Sequence, residues 1–122
     1  MTKIAIIEDD LAISTMYRLK FEAEGFIVDT AANGKLGLAL AEEMKPDIVL
    51  LDLMMPEMDG AETLTLMRKQ AWGRSTPVII LTNLGKEEAP KSLGALNVYG
   101  YIVKAELTPS QVVQRVKDAL AQ

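Results

Sequence analysis

The sequence predicts an open α/β fold in which helices cover both faces of a five-stranded parallel sheet. Three runs of apolar residues, rich in isoleucine and valine, are too short for buried helices and are typical of strands covered on both faces. They are Ile4 to Ile7, Ile48 to Leu51 and Val78 to Leu81. Longer stretches with helical spacing separate these runs. Strand and helix therefore alternate along the chain, which favours parallel strands joined by right-handed crossovers.

Two weaker strand candidates, Phe26 to Thr30 and Gly100 to Val103, complete the set of five. The first helix is predicted between strands one and two, ahead of Gly25 as a stop signal. Its apolar positions recur at helical spacing and are Ile13, Met16, Tyr17 and Phe21. The second and third helices are predicted over residues 35–44 and 61–69, with Leu64 and Met67 facing inward in the third.

The last two helices differ in how clearly the sequence marks them. The fifth has Thr108 as N-cap, Pro109 at the first helical position and Gln111 to close a capping box. Its apolar face is Val112, Val113, Val116 and Leu120. The fourth is less regular, because Pro90 lacks an amide hydrogen and disfavours a helical residue before it. We expect that helix to begin near Pro90 and to end at Asn97 in the left-handed conformation.

Length and composition exclude several classes of function. The 122 residues correspond to one domain, residues 1–122. The chain has no histidine and no cysteine, which excludes imidazole bases, thiolate nucleophiles and Cys/His zinc sites. A net charge of −4 argues against direct nucleic-acid binding. The absence of a membrane-length apolar run or a signal peptide predicts a cytoplasmic protein without membrane association.

Polar residues follow the predicted strands, at the sheet edge where ligands bind in open α/β folds. They are Glu8, Asp9 and Asp10 after strand one, Asp52 after strand three, Thr82 after strand four and Lys104 after strand five. Taken singly, Asp10 could cap a helix, Thr82 could simply end a strand, and Lys104 could be a solvated charge. Asp52 is harder to explain, because a carboxylate flanked by buried strand is costly unless it is paired or bound to a metal.

Together these residues favour phosphoryl chemistry. Crowded carboxylates call for a hard divalent cation such as Mg²⁺, which binds carboxylates, waters and phosphate oxygens. Without histidine or cysteine, a carboxylate that forms an acyl phosphate is the direct choice of nucleophile, and Asp52 is the central candidate. The Lys104 ammonium and the Thr82 hydroxyl could then neutralise charge on the transferred group.

The sequence resembles the receiver domain of bacterial two-component response regulators over essentially its whole length. Four segments carry the resemblance at matching spacing: Lys3-Ile-Ala-Ile-Ile-Glu-Asp-Asp10, Lys45-Pro-Asp-Ile-Val-Leu-Leu-Asp52 with its continuation to Gly60, Pro77-Val-Ile-Ile-Leu-Thr82, and Tyr101-Ile-Val-Lys104. The resemblance implies a flavodoxin-like sheet of order 2-1-3-4-5, of which the chemotaxis receiver is an example.

The resemblance also implies roles for particular residues. Asp52 is then the phosphoacceptor, and Asp9, Asp52 and the Met54 main-chain carbonyl are Mg²⁺ ligands, with Glu8 acting through metal-bound water. Thr82 and Tyr101 form the implied switch pair, which alters a surface made by the fourth helix, fifth strand and fifth helix. The implied phosphodonor is a histidine kinase or histidine phosphotransfer protein, and the output is a downstream protein. Such a domain is not an enzyme beyond its own phosphorylation and dephosphorylation.

One departure from the family pattern lies directly after the lysine. Most receivers have a proline there in a cis bond, whereas this chain has Ala105, so we predict that the Lys104-Ala105 bond is trans, or cis only under strain. The main rival function is a receiver-like interaction module that is not phosphorylated, since Ala105 and Pro90 could reflect relaxed demands on switching. A haloacid-dehalogenase-type hydrolase would need an acid at Met54, and a nucleotide-binding module would need a glycine-rich phosphate loop that the chain lacks.

Overall fold

The computed structural model describes residues 1–122 and contains one sheet of five parallel strands. The strands are β1 (Lys3–Ile7), β2 (Ile27–Ala31), β3 (Ile48–Leu51), β4 (Val78–Thr82) and β5 (Gly100–Val103). Their order in the sheet is β2-β1-β3-β4-β5. The predicted strands and the flavodoxin-like order are therefore confirmed, and each strand end lies within about one residue of its predicted position.

Four α-helices flank the sheet. They are α1 (Leu11–Ala23), α2 (Gly34–Met44), α3 (Gly60–Arg68) and α4 (Pro109–Leu120). Each begins after a side chain that accepts a main-chain N–H, and these caps are Asp10, Asn33, Asp59 and Thr108. The predicted capping box between Thr108 and Gln111 is present, with Pro109 as the first helical residue. None of these helices has the length and apolar character needed to cross a membrane.

The prediction of five helices is wrong for the segment between β4 and β5. This segment forms two 3₁₀ turns, Lys86–Glu88 and Lys91–Ala95, instead of an α-helix. Ala89 and Pro90 separate the turns in extended conformations, with ψ of 147° and 134°. The proline causes this break, because it has no N–H to donate and pushes the preceding residue out of the helical region. Asn97 adopts the predicted left-handed conformation, with φ of 54°.

The sheet separates two apolar layers. Along β1, Ile4 and Ile6 face the layer that contains α1 and α4, whereas Ala5 and Ile7 face the layer that contains α2 and α3. Residues buried on both faces explain why the strands appear in the sequence as continuous apolar runs. Leu64 and Met67 of α3 are fully buried, as predicted.

The apolar face of α1 is narrower than predicted. Tyr17 and Phe21 are buried and Ile13 packs against them, but Met16 is 41% exposed, so its predicted inward position is wrong. Met16 directly precedes Tyr17 and is rotated away from the buried stripe, since each residue turns the helix by about 100°. It lies on the outer side of α1, where Leu19 is also exposed.

Candidate functional site

Three of the acids predicted at the strand ends meet in the structure, and Lys104 contacts two of them. Glu8 and Asp9 follow β1, and Asp52 follows β3, its neighbour in the sheet. One carboxylate oxygen from each of these three residues lies within 4.8 Å of the others, and the group is called the acidic cluster below. Glu8 and Asp52 are each only 5% exposed, whereas Asp9 is exposed. The remaining strand-one acid, Asp10, caps α1 through the N–H of Ile13.

The side chain of Lys104 is the only lysine side chain that contacts the acidic cluster. Lys104 follows β5 directly, and its Nζ lies 3.1 Å from Asp52 Oδ2 and donates a second hydrogen bond to Glu8 Oε1. The side chain is 10% exposed. The chain contains no cis peptide bond, so the predicted trans Lys104-Ala105 bond is confirmed. Replacement of the usual proline by Ala105 therefore leaves the Lys104 ammonium directed at Asp52.

Burial and charge shift the pKa values of this group. Burial raises the pKa of the Glu8 carboxyl from 4.5 to about 7, with a further upward contribution from the Asp52 charge. Hydrogen bonds from Lys104 and from the Asp10 N–H oppose that rise. Burial acts to lower the pKa of Lys104, but its bonds to Glu8 and Asp52 outweigh burial, and the pKa is raised. Glu8 thus holds its proton unusually tightly, and the lysine stays charged.

The main chain around Asp52 is fixed from several directions. Its N–H donates to the Ile7 carbonyl at 3.0 Å, which extends the pairing of β3 with β1. Its Oδ1 accepts the N–H of Met54 at 3.1 Å. A Cβ at Gly60 would lie 2.1 Å from the Asp52 carbonyl oxygen, so only glycine allows α3 to start this close to the main chain of Asp52. Glu57, in the connecting loop, has a strained φ of 67°. These contacts hold the main chain that carries the Asp52 side chain in one position.

The two residues of the predicted switch pair contact the same loop after β4. Thr82 is fully buried, and its Oγ1 accepts the N–H of Leu84 at 3.3 Å and makes no hydrogen bond to Asp52. Tyr101 is half-buried, and its hydroxyl donates to the Leu84 carbonyl at 2.7 Å. Leu84 thus links the threonine and the tyrosine, which lie on neighbouring strands.

One residue of this region, Asn83, is not among the site residues predicted from the sequence. Asn83 accepts the main-chain N–H of Ala105 through its Oδ1 at 3.2 Å. No local pattern signals this contact, because the two residues follow different strands and Asn83 comes after an ordinary apolar run. The adjacency of these strand ends in the predicted sheet order was the one available signal.

The donor atoms of the acidic cluster suit Mg²⁺. Three carboxyl groups supply hard oxygen ligands, and when all three are ionised their negative charge exceeds the positive charge of the single Lys104 ammonium. The exposure of Asp9 leaves this group open to solvent on one side. Nitrogen or sulfur ligands, which would favour zinc, are absent because the chain has no histidine or cysteine.

Comparison with known families agrees with this arrangement. A family model described as "Response regulator receiver domain" matches residues 4–117. The chain belongs to this family. Among solved structures, the chemotaxis protein CheY4 of Vibrio cholerae superposes with a TM-score of 0.89 at 28% identity, covering 98% of both chains. The receiver resemblance inferred from four sequence segments is therefore confirmed.

Two transcriptional regulators are similar to this receiver in sequence. ResD of Bacillus subtilis (strain 168) is 39% identical over 120 residues, covering 98% of this chain and 48% of ResD. The phosphate regulon transcriptional regulatory protein PhoB of Rhizobium meliloti (strain 1021) is 36% identical over 120 residues, covering 98% of this chain and 52% of PhoB. The chain therefore spans about half the length of each regulator.

Proposed function

We propose that this receiver is the phosphoacceptor of a two-component system and that Asp52 is the residue phosphorylated. The observation that carries the proposal is the placement of Asp52 in the acidic cluster, with the Lys104 ammonium 3.1 Å from its carboxylate. A buried carboxylate held this way is available as a nucleophile, and the lysine is positioned to neutralise charge on an incoming phosphoryl group.

The transfer is a simple exchange of one bond for another. A carboxylate oxygen of Asp52 attacks phosphorus, the new P–O bond forms, and the P–N bond to the donor imidazole breaks. Water later attacks the acyl phosphate, which returns the carboxylate and releases inorganic phosphate. The domain catalyses only these two steps on itself. Because these 122 residues contain no histidine, the phosphohistidine lies outside them, and the proposed donor is a histidine kinase or histidine phosphotransfer protein.

We assign the metal ligands to Asp9, Asp52 and the Met54 main-chain carbonyl, with Glu8 acting through a metal-bound water. When bound, Mg²⁺ would supply positive charge that neutralises phosphate oxygens. Glu8 and Asp52 come from adjacent strands, so the site would join β1 to β3. Lys104, from the end of β5, completes the charge balance through its contact with Asp52.

The proposed switch uses Thr82 and Tyr101. The Thr82 hydroxyl would move toward the phosphoryl group, and Tyr101 would follow because both residues bond to Leu84. The surface altered by this change consists of the two 3₁₀ turns, β5 and α4, which correspond to the predicted fourth helix, fifth strand and fifth helix. We propose that a downstream protein binds this surface. A cytoplasmic location is proposed with it, since that is where such partners meet.

The test is direct phosphorylation. Purified protein is incubated with Mg²⁺ and acetyl phosphate, and intact mass is measured before and after. We expect the mass to rise by one phosphoryl group in the parent protein and in the control Asp118→Asn, which changes an aspartate of α4 outside the acidic cluster. The mass should stay unchanged in Asp52→Asn. Unmodified parent protein under these conditions would overturn the proposal.

The segment between β4 and β5 favours one other function. Two 3₁₀ turns broken at Pro90 replace a helix that the family resemblance implies for the output surface. A receiver-like module that binds its partner without phosphorylation would tolerate this departure. Binding of a downstream partner by Asp52→Asn as tight as by the phosphorylated protein would favour that function.

A further inference from the structure

The pairing of β4 with β5 ends just before the residues that approach Asp52. The last paired residues are Thr82 and Val103. Beyond them the chain from Lys104 to Glu106 turns into a 3₁₀ conformation, so Lys104 is not held by a strand ladder. A lysine side chain has many rotamers, and its reach to Asp52 depends on how its own main chain is fixed.

A side chain takes the place of the missing ladder bond. Asn83, the residue after Thr82, accepts the Ala105 N–H through Oδ1 at 3.2 Å. That N–H belongs to the peptide unit that joins Lys104 to Ala105. The hydrogen bond to Asn83 therefore fixes the orientation of the peptide plane that includes the Lys104 Cα. Proline at position 105, the residue expected from the family resemblance, has no N–H and could not form this bond.

The neighbours of Asn83 belong to the same small loop. The Leu84 N–H donates to the Thr82 hydroxyl oxygen at 3.3 Å, and the Leu84 carbonyl accepts the Tyr101 hydroxyl at 2.7 Å. Asn83 lies between Thr82 and Leu84 and reaches across to the segment that carries Lys104. One side chain therefore links the loop after Thr82 to the main chain beside Lys104.

We propose that Asn83 is a positioning residue for phosphorylation of Asp52, and that it acts by holding the Lys104-Ala105 peptide unit so that the ammonium faces the carboxylate. It replaces the constraint that a proline would supply. This inference rests on the proposed function, because it names a residue that supports transfer to Asp52.

The experiment compares rates of phosphorylation by acetyl phosphate with Mg²⁺ in single and double variants. Asn83→Ala should slow the reaction about 3- to 10-fold, the effect of losing one modest hydrogen bond. Asn83→Asp retains an acceptor oxygen and should recover most of the rate. In a Lys104→Met background, Asn83→Ala should have no further effect, since the residue acts through the lysine. Melting temperatures should be the same in the parent and Asn83→Ala, because Asn83 is exposed.

Two results would overturn the inference. One is a rate for Asn83→Ala that equals or exceeds that of the parent protein. The other is an equal slowing by Asn83→Ala with and without Lys104, which would show that Asn83 acts elsewhere. Hydrogen exchange of the Ala105 amide, measured without any phosphodonor, separates this inference from the proposed function. Faster exchange in Asn83→Ala supports the hydrogen bond even if the parent protein is not phosphorylated, and equal exchange contradicts it.

Discussion

At the scale of single residues, Glu8 determines how the acidic cluster responds to pH. Its carboxyl is buried, and burial raises its pKa to about 7. An acid whose pKa is higher in the folded than in the unfolded protein binds more protons when folded. The metal-free protein therefore loses stability from this group as the pH rises from about 4.5 to about 7.

Binding of Mg²⁺ should show the opposite trend. Metal binding favours ionised carboxylates, so a proton on Glu8 competes with the metal. We expect Mg²⁺ affinity to increase up to about tenfold per pH unit as the pH approaches 7, and to level off above it. Calorimetric titrations at about pH 5.5, 6.5 and 7.5 would measure this, and buffers of different ionisation enthalpy would count the protons released.

Glu8→Gln provides the control for this prediction. Glutamine is close in size and cannot ionise, so its Mg²⁺ affinity should be weaker and should vary much less over the same pH range. A parent protein whose Mg²⁺ affinity is independent of pH would show that Glu8 is already ionised well below about pH 7.

At the scale of secondary-structure elements, Arg68 connects the end of α3 to the segment before β5. Its Nε donates to the Leu96 carbonyl at 2.9 Å and its Nη2 to the Asn97 carbonyl at 3.3 Å. Its Nη1 donates to the carbonyls of Gly73 and Thr76, at 2.9 and 2.8 Å. No carboxylate pairs with Arg68, and burial lowers the pKa of its guanidinium. This residue thus anchors the end of a segment whose own main-chain hydrogen bonds are those of short 3₁₀ turns instead of an α-helix.

Loss of this guanidinium should loosen the segment and leave the sheet intact. We expect Arg68→Met to speed amide hydrogen exchange over residues 91–97 and to lower the free energy of unfolding by about 1–3 kcal/mol, because main-chain carbonyls lose their donors. The exchange rate and stability of Arg68→Lys should lie between those of the parent protein and Arg68→Met, since an ammonium cannot reproduce the planar arrangement of donors in a guanidinium. Exchange measured by mass spectrometry or NMR would check this.

An arginine elsewhere in the chain serves as the matched control. Arg74 is exposed and makes no hydrogen bond to residues 91–97, so Arg74→Met should leave exchange in that segment unchanged. Equal exchange in Arg68→Met and in the parent protein would mean that the segment is held by its apolar contacts alone, with Leu93 as the buried residue.

The same scale shows what could be predicted from the sequence. Strands buried on both faces leave continuous apolar runs, and helix caps leave a local residue pattern, so strand ends and the Thr108 cap were predicted closely. The prediction of an α-helix around Pro90 is wrong, because a proline indicates where a helix breaks but does not indicate that the residues on either side form 3₁₀ turns. Asn83 and Arg68 act through contacts between distant parts of the chain, and no local pattern records them.

At the scale of the whole molecule, the parallel topology concentrates negative charge at one edge. Adjacent strands β1 and β3 end together, so their acids meet because of the fold itself. Lys104 contacts Glu8 and Asp52 but not Asp9. Asp9 is thus the one acid of the cluster without a direct ion pair, and we expect its charge to be a cost to the folded protein until a cation binds.

Asp9→Asn should therefore have opposite effects on stability with and without Mg²⁺. In EDTA, we expect the variant to be more stable than the parent by about 0.5–1 kcal/mol, the size of a repulsion between charges about 4–5 Å apart near water. With Mg²⁺ at about one hundred times its dissociation constant for the parent protein, the free energy of unfolding of the parent should rise by about 2.7 kcal/mol by mass action. At the same Mg²⁺ concentration, that of the variant should rise far less. Urea denaturation followed by circular dichroism, with the exposed Glu43→Gln as control, would measure both differences. Equal stabilisation of parent and Asp9→Asn by Mg²⁺ would show that Asp9 is not a ligand of the cation.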